Sequence, residues 1–429
     1  MKVSFYTLGC KVNQNETGAL EALLRGEGYT IVGSGEAADI YVVNSCTVTA
    51  GGDAKSRQWL RRKKRENPTA ITVLTGCFPQ AFPEEALLPE ADIINGTALR
   101  SRLPEQLQRF LADGKRIVDI TPHTRDEAFE ELPVENTGER TRAFVKIEDG
   151  CSRRCAYCII PTARGPVRSR TESSILAELA QLAAQGYREA VFTGINLPSY
   201  GKDTGADLAE LIEKAAEVPG IERLRLSSLD PDLITPRQIA RLAGVDKLCR
   251  HFHLSLQSGC DDTLRRMRRP YTTPQYRAVA AALREALPGS SLTTDIIVGF
   301  PGETEAEFGE SLQFMQEMEF LKVHVFPFSR RAGTPAADFP GQLTAALKAA
   351  RAKTMQTEAD RIRAAWVAAR AGEIHEVVLE KPLPNGLFTG YTKNYIPVAL
   401  PAPGHAQGDI VSATLGNWNG ERCLCEIAL

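Results

Sequence analysis

The sequence contains no apolar run near the roughly 20 residues that a membrane-spanning helix needs. It has no marked excess of either charge, since 51 Lys and Arg stand against 53 Asp and Glu, which gives a formal net charge of −2. Bulk charge therefore does not indicate a nucleic-acid partner, and RNA binding would need a local basic patch. The N-terminus reads as the start of a strand and not as a secretory signal. We expect a protein of the cytoplasm with no membrane contact.

Histidine is also scarce, and its six copies show no H-E-x-x-H or comparable metal-ligand spacing. His251 and His253 share one face of a predicted strand, where we expect satisfied core or rim residues. Cysteine is the ligand type that the chain does offer, in ten copies. In a chain without an export signal, cysteines more often serve metal binding or catalysis than disulfides. Packed structural roles are expected for four of them: Cys249, Cys260, Cys423 and Cys425.

Three other cysteines lie close together, in the C-x3-C-x2-C spacing of Cys151, Cys155 and Cys158, with Tyr157 before the third. Three thiolates on one short loop can hold three irons of a 4Fe–4S cluster and leave the fourth iron open, whereas electron-transfer clusters usually have full cysteine ligation. A structural zinc site is the alternative, but zinc takes four ligands and the loop supplies no fourth.

Residues 1–112 alternate strand and helix signals, which indicates an open parallel sheet with helices on both faces. Cys10, Cys46 and Cys77 each follow a predicted strand of this domain. Open α/β sheets bind ligands at the carboxyl ends of their strands, so we expect these three cysteines to converge there. The residues alone leave two interpretations open: a second three-cysteine cluster, or three separate buried thiols.

The rest of the chain divides by pattern into four parts. Residues 113–140, with Pro and Gly among many charges, read as a linker. Residues 141–340 contain six strand–helix units, fewer than a closed barrel has, and predict a partial (β/α)6 barrel whose cluster loop follows the first strand. Residues 341–371 predict a connecting helix, and residues 372–429 predict a small all-β, OB-like barrel. The expected fold class is α/β with this all-β domain at the C-terminus.

Two basic runs are candidates for RNA contact. The run from Arg61 to Arg65 is expected to be a solvated helix face. The run from Arg265 to Arg269 adjoins the barrel mouth in sequence, and we expect it to contact RNA. The C-terminal barrel has six acidic and three basic residues from Ala371 onward, so it is a doubtful RNA clamp by itself.

Several motifs resemble those of radical S-adenosylmethionine (radical SAM) methylthiotransferases. Three of them are similar to the N-terminal domain of that family: Thr7-Leu-Gly-Cys10-Lys-Val-Asn13-Gln-Asn-Glu16, Asn44-Ser-Cys46-Thr-Val-Thr49 and Thr75-Gly-Cys77. Residues 150–170, which carry the three-cysteine spacing, are similar to its SAM loop, and the C-terminal barrel is similar to its TRAM domain. The resemblance covers the whole chain.

The resemblance implies an enzyme that places a methylthio group on an unreactive C–H carbon. The chain looks most like the branch that modifies carbon 2 of N6-threonylcarbamoyladenosine at position 37 of tRNA. Isopentenyladenosine in tRNA and a ribosomal-protein side chain are the alternative substrates. One SAM would supply the methyl group and another the 5′-deoxyadenosyl radical. The implied partners are tRNA, a flavodoxin- or ferredoxin-like electron donor and a sulfur donor. The alternative of another class is a non-catalytic, metal-stabilised RNA-binding scaffold.

The resemblance also implies site residues. Two 4Fe–4S clusters would be held by two sets of cysteines: Cys10, Cys46 and Cys77, and Cys151, Cys155 and Cys158. No catalytic residue is assigned beyond these ligands. SAM contacts are expected at seven positions, and those at strand ends could equally be structural residues of the barrel rim: Tyr157, Thr193, Gly194, Asn196, Ser228, Gln257 and Gly299.

Overall fold

The computed structural model of the chain describes residues 1–132 and 141–428. The described chain forms two compact units. The first consists of residues 1–132, Glu148–Arg170 and Ser329–Ala337, and the second consists of residues 141–147, Thr171–Phe328 and 338–428. Within the described ranges, no helix is both long and apolar enough to cross a membrane. The domain bounds given above stay a prediction, and the loop that carries Cys151 groups with the first unit.

The first unit begins with alternating strands and helices, as the sequence predicts. In chain order they are β1 (Lys2–Thr7), α1 (Lys11–Gly26), β2 (Thr30–Val32), β3 (Ile40–Ser45), α2 (Ala50–Glu66), β4 (Ile71–Gly76), α3 (Cys77–Ala81), β5 (Ile93–Asn95), α4 (Leu103–Asp113) and β6 (Ile117–Asp119). The six strands form one parallel sheet in the order β2-β1-β3-β4-β5-β6. Val42 and Val43 of β3 enter two different apolar cores, one on each face, so both faces of the sheet are buried.

The sixth strand corrects part of the sequence interpretation. The sequence predicts a linker over residues 113–140, but β6 lies inside this range and pairs with β5, with Ile117 opposite Ile93. Three residues are too short a run for hydrophobic periodicity to separate a strand from a loop. The remainder of the predicted linker includes Pro133 and Gly138, and residues 133–140 lie outside the described part of the chain.

The predicted SAM loop folds with the first unit. The next elements are β7 (Arg142–Lys146), β8 (Glu148–Asp149), α5 (Ile160–Arg164) and β9 (Arg168–Ser169). Strand β7 belongs to the second unit, whereas β8, α5 and β9 belong to the first. The antiparallel pair β8–β9 closes the loop that holds Cys151, Cys155 and Cys158. Helix α5 packs against α3, the short helix that begins at Cys77. The two predicted cluster segments are therefore neighbours within one unit.

The second unit is an open array of parallel strands and helices. After β7 its elements are α6 (Glu172–Ala184), β10 (Glu189–Thr193), α7 (Leu208–Ala216), β11 (Arg223–Leu226), β12 (Ser228–Leu229), α8 (Pro236–Ala243), β13 (His251–Leu254), α9 (Asp261–Arg266), α10 (Thr273–Ala286), β14 (Ser291–Val298), α11 (Glu305–Met318) and β15 (Lys322–Pro327). The strand orders are β11-β10-β7 and β12-β13-β14-β15, and an isolated bridge joins Leu224 of β11 to Leu248, shortly before β13. The strands thus follow one another in sequence order, which confirms the partial barrel.

The end of the chain also has the predicted architecture. Helix α12 (Ala345–Ala368) is followed by β16 (Ile374–Pro382), β17 (Leu387–Thr392), β18 (Pro397–Pro401), β19 (Ile410–Trp418) and β20 (Cys423–Ile427). These five strands close into a barrel in the order β16-β17-β18-β20-β19. The all-β C-terminal barrel is therefore confirmed.

A buried ionic cluster joins the C-terminal barrel to the strands β7, β10 and β11. Nε of Arg225 donates to the carboxylate of Glu189 at 2.7 Å, and Nε of Arg223 forms an ion pair with it at 3.0 Å. The guanidinium groups of Arg225 and Arg142 lie over the ring of Tyr395 at 4.8 and 5.7 Å. Burial alone would raise the pKa of Glu189, but the charges of the three arginines outweigh it and lower this pKa to about 2. The cluster holds an ionised carboxylate among cations and aromatic rings.

Candidate functional site

The three N-terminal cysteines lie at one edge of the first sheet. Cys10 precedes α1, Cys46 follows β3, and Cys77 begins α3 directly after β4. Strands β1, β3 and β4 are adjacent and parallel, and Asn44 lies opposite both Thr7 and Thr75. The three segments that follow these strands therefore leave the sheet at the same level, which confirms that the three cysteines converge at one edge. Their role as ligands stays a prediction.

A glycine allows the first of these turns to approach the second. Gly9 has φ +113°, a backbone conformation that residues with a side chain rarely adopt. A Cβ at this position would lie 2.8 Å from Cβ and 3.2 Å from Sγ of Cys46. The close contact leaves no room for a methyl group between position 9, next to Cys10, and the side chain of Cys46.

Asn13 fixes the turn after β1 against the turn after β3. Its amide Nδ2 donates to the carbonyl of Ser45 at 2.9 Å, and the amide of Asn44 donates back to the carbonyl of Asn13 at 2.9 Å. Its Oδ1 accepts from Sγ of Cys10 at 3.3 Å. Asn13 is buried. Its three contacts therefore set the position of the Cys10 thiol relative to Cys46.

The second set of cysteines lies on the loop between β8 and α5. The backbone N–H of Cys151 donates to the carbonyl of Gly165 at 3.0 Å, and that of Cys158 donates to the carbonyl of Cys155 at 3.1 Å. Cys151 and Cys155 are buried and Cys158 is half-buried. Gly150 precedes the loop with φ +82°, and a Cβ there would meet the carbonyl oxygen of Pro166 at 1.9 Å. The loop is thus closed tightly at its base.

A buried arginine connects the two cysteine segments. Arg164 ends α5, is inaccessible to solvent, and donates from both terminal nitrogens to the carboxylate of Glu16 at 2.8 and 3.0 Å. It also donates to Asp149 at 2.9 Å and to Oδ1 of Asn13 at 3.0 Å. Asn13 is the residue that contacts Cys10. The same guanidinium therefore orients the base of the loop and the first cysteine turn.

The electrostatics of the first cysteine set follow from this burial. Removal from water raises the pKa of Cys46 to about 12 and also raises the pKa of Cys77, because both thiolates would be poorly solvated. The neighbouring cysteines add to the rise for both thiols. The positive charge of Arg164 acts in the opposite direction on both. The buried cation therefore offsets part of the cost of placing several thiolates at this edge.

A second arginine anchors the chain directly after Cys46. Arg331 comes from the Ser329–Ala337 segment of the first unit, is buried, and donates to Oγ1 of Thr47 at 2.7 Å and to the carboxylate of Asp53. Its guanidinium lies 4.7 Å from the ring centre of Phe82. Burial raises the pKa of Asp53, and the bond from Arg331 opposes this rise. Sequence reasoning missed both arginines, because their partners lie between about 150 and 280 positions away.

Known proteins resemble the chain along its whole length. A model of the radical SAM superfamily matches residues 145–315, and a model described as uncharacterized protein family UPF0004 matches residues 2–96. The "Threonylcarbamoyladenosine tRNA methylthiotransferase MtaB" of Bacillus subtilis is 38% identical over 420 residues, which span 96% of this chain and 93% of that protein. The chain belongs to the radical SAM methylthiotransferase family. A second relative, the "tRNA-2-methylthio-N(6)-dimethylallyladenosine synthase" of Symbiobacterium thermophilum, is 36% identical and spans 99% of this chain and 94% of that protein.

A solved structure supports the fold. That of the radical S-adenosylmethionine methyltransferase TsrM from Kitasatospora setae has a TM-score of 0.56 at 15% identity and covers 78% of this chain and 74% of that chain. At this identity the likeness concerns the fold alone. Family membership makes the chain an enzyme whose cofactors are SAM and two 4Fe–4S clusters, and it sets aside the non-catalytic scaffold.

The residues of this radical SAM methylthiotransferase suit such cofactors. All ten cysteines lie in the described part of the chain, and none forms a disulfide. Two sets of three lie in the first unit, at a sheet edge and on a closed loop, and the buried Arg164 donates to Glu16 of α1 and to Asp149 at the base of the loop. Thiolate sulfur is the ligand type that iron–sulfur clusters require. Four cysteines outside these sets are buried packing residues: Cys249, Cys260, Cys423 and Cys425.

The predicted SAM contacts lie where the barrel strands end. Thr193 ends β10, is buried, and donates its hydroxyl to the carbonyl of Val145 at 3.2 Å. Gly194 follows it and is half-buried. Asn196 is buried and donates to Asp230 at 2.9 Å. Asn196 thus already has a structural partner at the rim, and its contact with SAM stays a prediction.

The remaining SAM candidates are also at strand ends or in the cluster loop. Ser228 begins β12 and is half-buried. Gln257 has φ +67°, and its N–H donates to the carbonyl of Asp295 at 2.8 Å. The Cβ position of Gly299 is occupied by Lys348, whose Cγ would be 2.3 Å away. Tyr157 is half-buried in the first unit, whereas the other six candidates belong to the second. Their SAM contacts stay predictions.

The two basic runs differ from each other in the structure. Four residues of the first run, from Arg61 to Lys64, form ion pairs with carboxylates. Arg61, Arg62 and Arg65 are exposed, as expected of a solvated face, whereas Lys63 is buried. In the second run, the side chain of Arg269 is only 5% exposed and is ion-paired with Asp230, and RNA contact by this run stays a prediction. Arg265 and Arg268 are exposed. The sequence pattern could not separate buried from exposed arginines within one short run.

Proposed function

We propose that this enzyme adds a methylthio group to carbon 2 of N6-threonylcarbamoyladenosine at position 37 of tRNA. One SAM is the methyl donor and a second SAM is the source of the 5′-deoxyadenosyl radical. A flavodoxin- or ferredoxin-like protein supplies electrons, and a separate donor supplies sulfur. The 38% identical relative carries the name of this activity, and its similarity spans nearly the whole of both chains. That match is the observation on which the choice of nucleoside depends.

The assignment of ligands rests on the two sets of cysteines. Cys151, Cys155 and Cys158 hold the cluster that cleaves SAM, and Cys10, Cys46 and Cys77 hold the cluster that takes part in sulfur transfer. When bound, SAM and the clusters supply the radical chemistry that an aromatic C–H carbon requires, since it has no leaving group and no acidic proton. Supporting this, tight positive-φ glycines directly precede Cys10 and Cys77 of one set and Cys151 of the other: Gly9, Gly76 and Gly150.

The protein's own residues position these ligands. Asn13 orients the thiol of Cys10, and Gly9 allows the Cys46 turn to lie against it. Arg164 donates hydrogen bonds to Glu16 and Asp149 and places positive charge near Cys46 and Cys77. Its planar fork makes two bonds to one carboxylate, a geometry that lysine does not reproduce. We expect these hydrogen bonds to orient the cysteine ligands before a cluster is bound.

Isopentenyladenosine in tRNA is the second candidate substrate. The relative from Symbiobacterium thermophilum is named for the dimethylallyl nucleoside and is 36% identical, close to the 38% of the first relative. Identity at this level does not separate two substrates that differ only in the group on N6. A direct comparison of the two tRNAs is therefore required.

The test is a methylthiolation assay with two matched tRNAs, one carrying threonylcarbamoyladenosine and one carrying isopentenyladenosine at position 37. The reconstituted enzyme is incubated with SAM and a reductant, and the nucleosides are identified by mass spectrometry. We expect the methylthio product from the threonylcarbamoyl tRNA. Product from the isopentenyl tRNA alone would contradict the proposed substrate.

Two single-cysteine variants separate the roles of the clusters. Cys155→Ala should form no 5′-deoxyadenosine, because the SAM-cleaving cluster loses a ligand. Cys46→Ala should still form 5′-deoxyadenosine but give no methylthio nucleoside. Cys249→Ala, which removes a buried thiol outside both sets, is the control and should behave as the wild type in both assays. Formation of 5′-deoxyadenosine by Cys155→Ala at the wild-type rate would refute the ligand assignment.

A further inference from the structure

A group of metal-ligand side chains belongs to the second unit, whereas all six proposed cluster ligands belong to the first. His253, Asp295 and His324 come from β13, β14 and β15, three consecutive strands of one parallel sheet. One nitrogen of each imidazole and one carboxylate oxygen all lie within 4.8 Å of one another. Sequence reasoning expected His253 to be a satisfied core or rim residue and gave no role to the other two.

The strand register brings these three side chains together. Asp295 lies directly opposite His324 on β15. His253 lies opposite Thr293 on β13 and β14, two residues before Asp295 and on the same face. The opposite face of these strands carries fully buried apolar residues such as Leu254 and Ile296. The three polar side chains therefore share the face that does not enter this apolar core.

The spacing of the donor atoms suits a shared ion better than a direct hydrogen bond. Nε2 of His253 is 3.4 Å from a carboxylate oxygen of Asp295, longer than the roughly 2.7–3.2 Å of ordinary N–H···O bonds. Ligand atoms bound at about 2.0–2.2 Å from one metal ion stand about 3.0–3.5 Å apart. An ion between these two atoms would fit the observed separation without a change of backbone.

The chemistry of the donors selects a class of metal. Two imidazole nitrogens and one carboxylate oxygen form a combination that suits Fe²⁺, Mn²⁺, Co²⁺ or Zn²⁺, with further coordination positions left for water or substrate. Mg²⁺ and Ca²⁺ prefer ligand sets made of oxygen. The side chain of Asp295 is 30% exposed and that of His253 is 12% exposed. Water can therefore reach the group and complete the coordination of an ion.

A neighbouring hydroxyl orients one of the imidazoles. Oγ1 of Thr293 is 3.1 Å from Nδ1 of His253, the ring nitrogen that does not face Asp295. The same hydroxyl lies 3.0 Å from Nε2 of His251. Metal-bound histidines usually have their second ring nitrogen fixed by such a partner. Thr293 thus holds His253 with Nε2 toward the other two ligands.

We propose that His253, Asp295 and His324 bind one divalent transition-metal ion. This site is independent of the cluster assignment, because all three residues belong to the second unit and the six cysteines belong to the first. Thr293 is a positioning residue for the site.

The test is a titration of Mn²⁺ into the reconstituted enzyme with both clusters in their EPR-silent oxidised state. The loss of the free Mn²⁺ signal counts the bound ions, and we expect about one per chain, displaced by Zn²⁺. Asp295→Asn and His324→Gln should each weaken binding by more than tenfold, and Thr293→Val by roughly tenfold. Absence of stoichiometric binding in the wild type would overturn the proposal.

A matched control guards against surface binding. His405 and Asp409 form another imidazole–carboxylate pair, 3.5 Å apart and exposed in the C-terminal barrel. His405→Gln should bind Mn²⁺ as the wild type does. Equal Mn²⁺ affinity in the wild type, Asp295→Asn and His324→Gln would contradict the site. If Asp295→Asn does not fold, as judged by circular dichroism and iron content, His324→Gln decides. Cluster content and methylthiolation are measured separately, so failure here is distinguishable from failure of the proposed function.

Discussion

Each unit of this protein has a buried cluster of arginine and carboxylate groups, and the two clusters are centred on opposite charges. In the first unit Arg164 bridges Glu16 and Asp149, and each carboxylate also pairs with a second arginine, Arg100 and Arg168 respectively. In the second unit one anion, Glu189, is shared by three arginines. The first cluster contacts Asn13 and through it the thiol of Cys10. The second contacts the aromatic rings of the C-terminal barrel.

The comparison shows that burial of charge does not by itself mark a functional site. A buried ion pair adds little net stability, but loss of one partner leaves an uncompensated charge and costs several kcal/mol. Removing a charge from either ionic cluster should therefore be costly. The two differ in what they contact: the turn of Cys10, a proposed ligand, in the first unit, and the C-terminal barrel in the second. The two roles can be separated by measuring iron content and stability on the same variants.

The largest effect is expected from Arg164→Gln. This change removes the cation that bridges Glu16 and Asp149 and leaves each buried carboxylate with one remaining arginine, Arg100 and Arg168 respectively, so it should cost up to about 3–5 kcal/mol of unfolding free energy. It also removes the bond to Asn13, so the iron bound per chain after reconstitution should fall. Arg164→Lys keeps the charge but loses the two-pronged geometry, and its iron content should be intermediate. Wild-type iron content in Arg164→Gln would show that the ionic cluster around Arg164 has a structural role only.

Glu189→Gln should destabilise the protein by a similar amount, about 3–5 kcal/mol, because the buried guanidinium groups of Arg223 and Arg225 lose their common anion, while Arg142 keeps Glu380. Its iron content should stay at the wild-type level when measured on folded protein. Denaturant unfolding and iron analysis of the same sample check both expectations. A loss of iron in Glu189→Gln would show that the ionic clusters around Arg164 and Glu189 do not differ in their effect on iron binding.

The pH dependence of stability tests the role of Glu189 further. The folded pKa of Glu189 is lowered from 4.5 to about 2. Because the folded pKa lies below the unfolded one, the contribution is complete above about pH 4.5 and is lost as pH falls toward 2. The stability difference between wild type and Glu189→Gln should therefore be constant at neutral pH and narrow by up to about 1.4 kcal/mol per pH unit below 4.5. A difference that stays constant down to pH 3 would contradict this.

The smallest effect is expected from an exposed pair in the second unit. Arg188 and Glu222 are 3.5 Å apart with side chains 42% and 49% exposed. Glu222→Gln should change the free energy of unfolding by no more than about 1 kcal/mol, since water screens the pair. This variant is the surface control for Glu189→Gln, and a loss comparable to that of Glu189→Gln would show that burial does not explain the contrast.

Much of the fold could be predicted from local patterns. Alternating strands and helices indicated both α/β units, and the closed C-terminal barrel was predicted from short strands with Gly and Pro turns. The convergence of Cys10, Cys46 and Cys77 followed from their places after strands, because the carboxyl ends of parallel strands share one edge. These features depend on neighbours in the sequence or on a general rule of sheet topology.

The features that the sequence did not predict depend mainly on contacts between residues far apart in the sequence. Arg164 meets Glu16 across 148 positions, and nothing in either local pattern distinguishes these residues from surface charges. Arg269 belongs to a basic run that reads as exposed, yet it pairs with Asp230 and is buried. Strand β6 is only three residues long and lay within a segment predicted as a linker. His253, Asp295 and His324 meet only through the register of three strands.

The central claim is that two separate sets of three cysteines each hold a 4Fe–4S cluster. Its most direct test is anaerobic reconstitution followed by iron and sulfide counting on the wild type, on the Cys151→Ala/Cys155→Ala/Cys158→Ala variant and on the Cys10→Ala/Cys46→Ala/Cys77→Ala variant. We predict about eight irons and eight sulfides per chain in the wild type and about four of each in either variant. About four irons in the wild type, with none in the first variant and no change in the second, would contradict the assignment of a cluster to Cys10, Cys46 and Cys77.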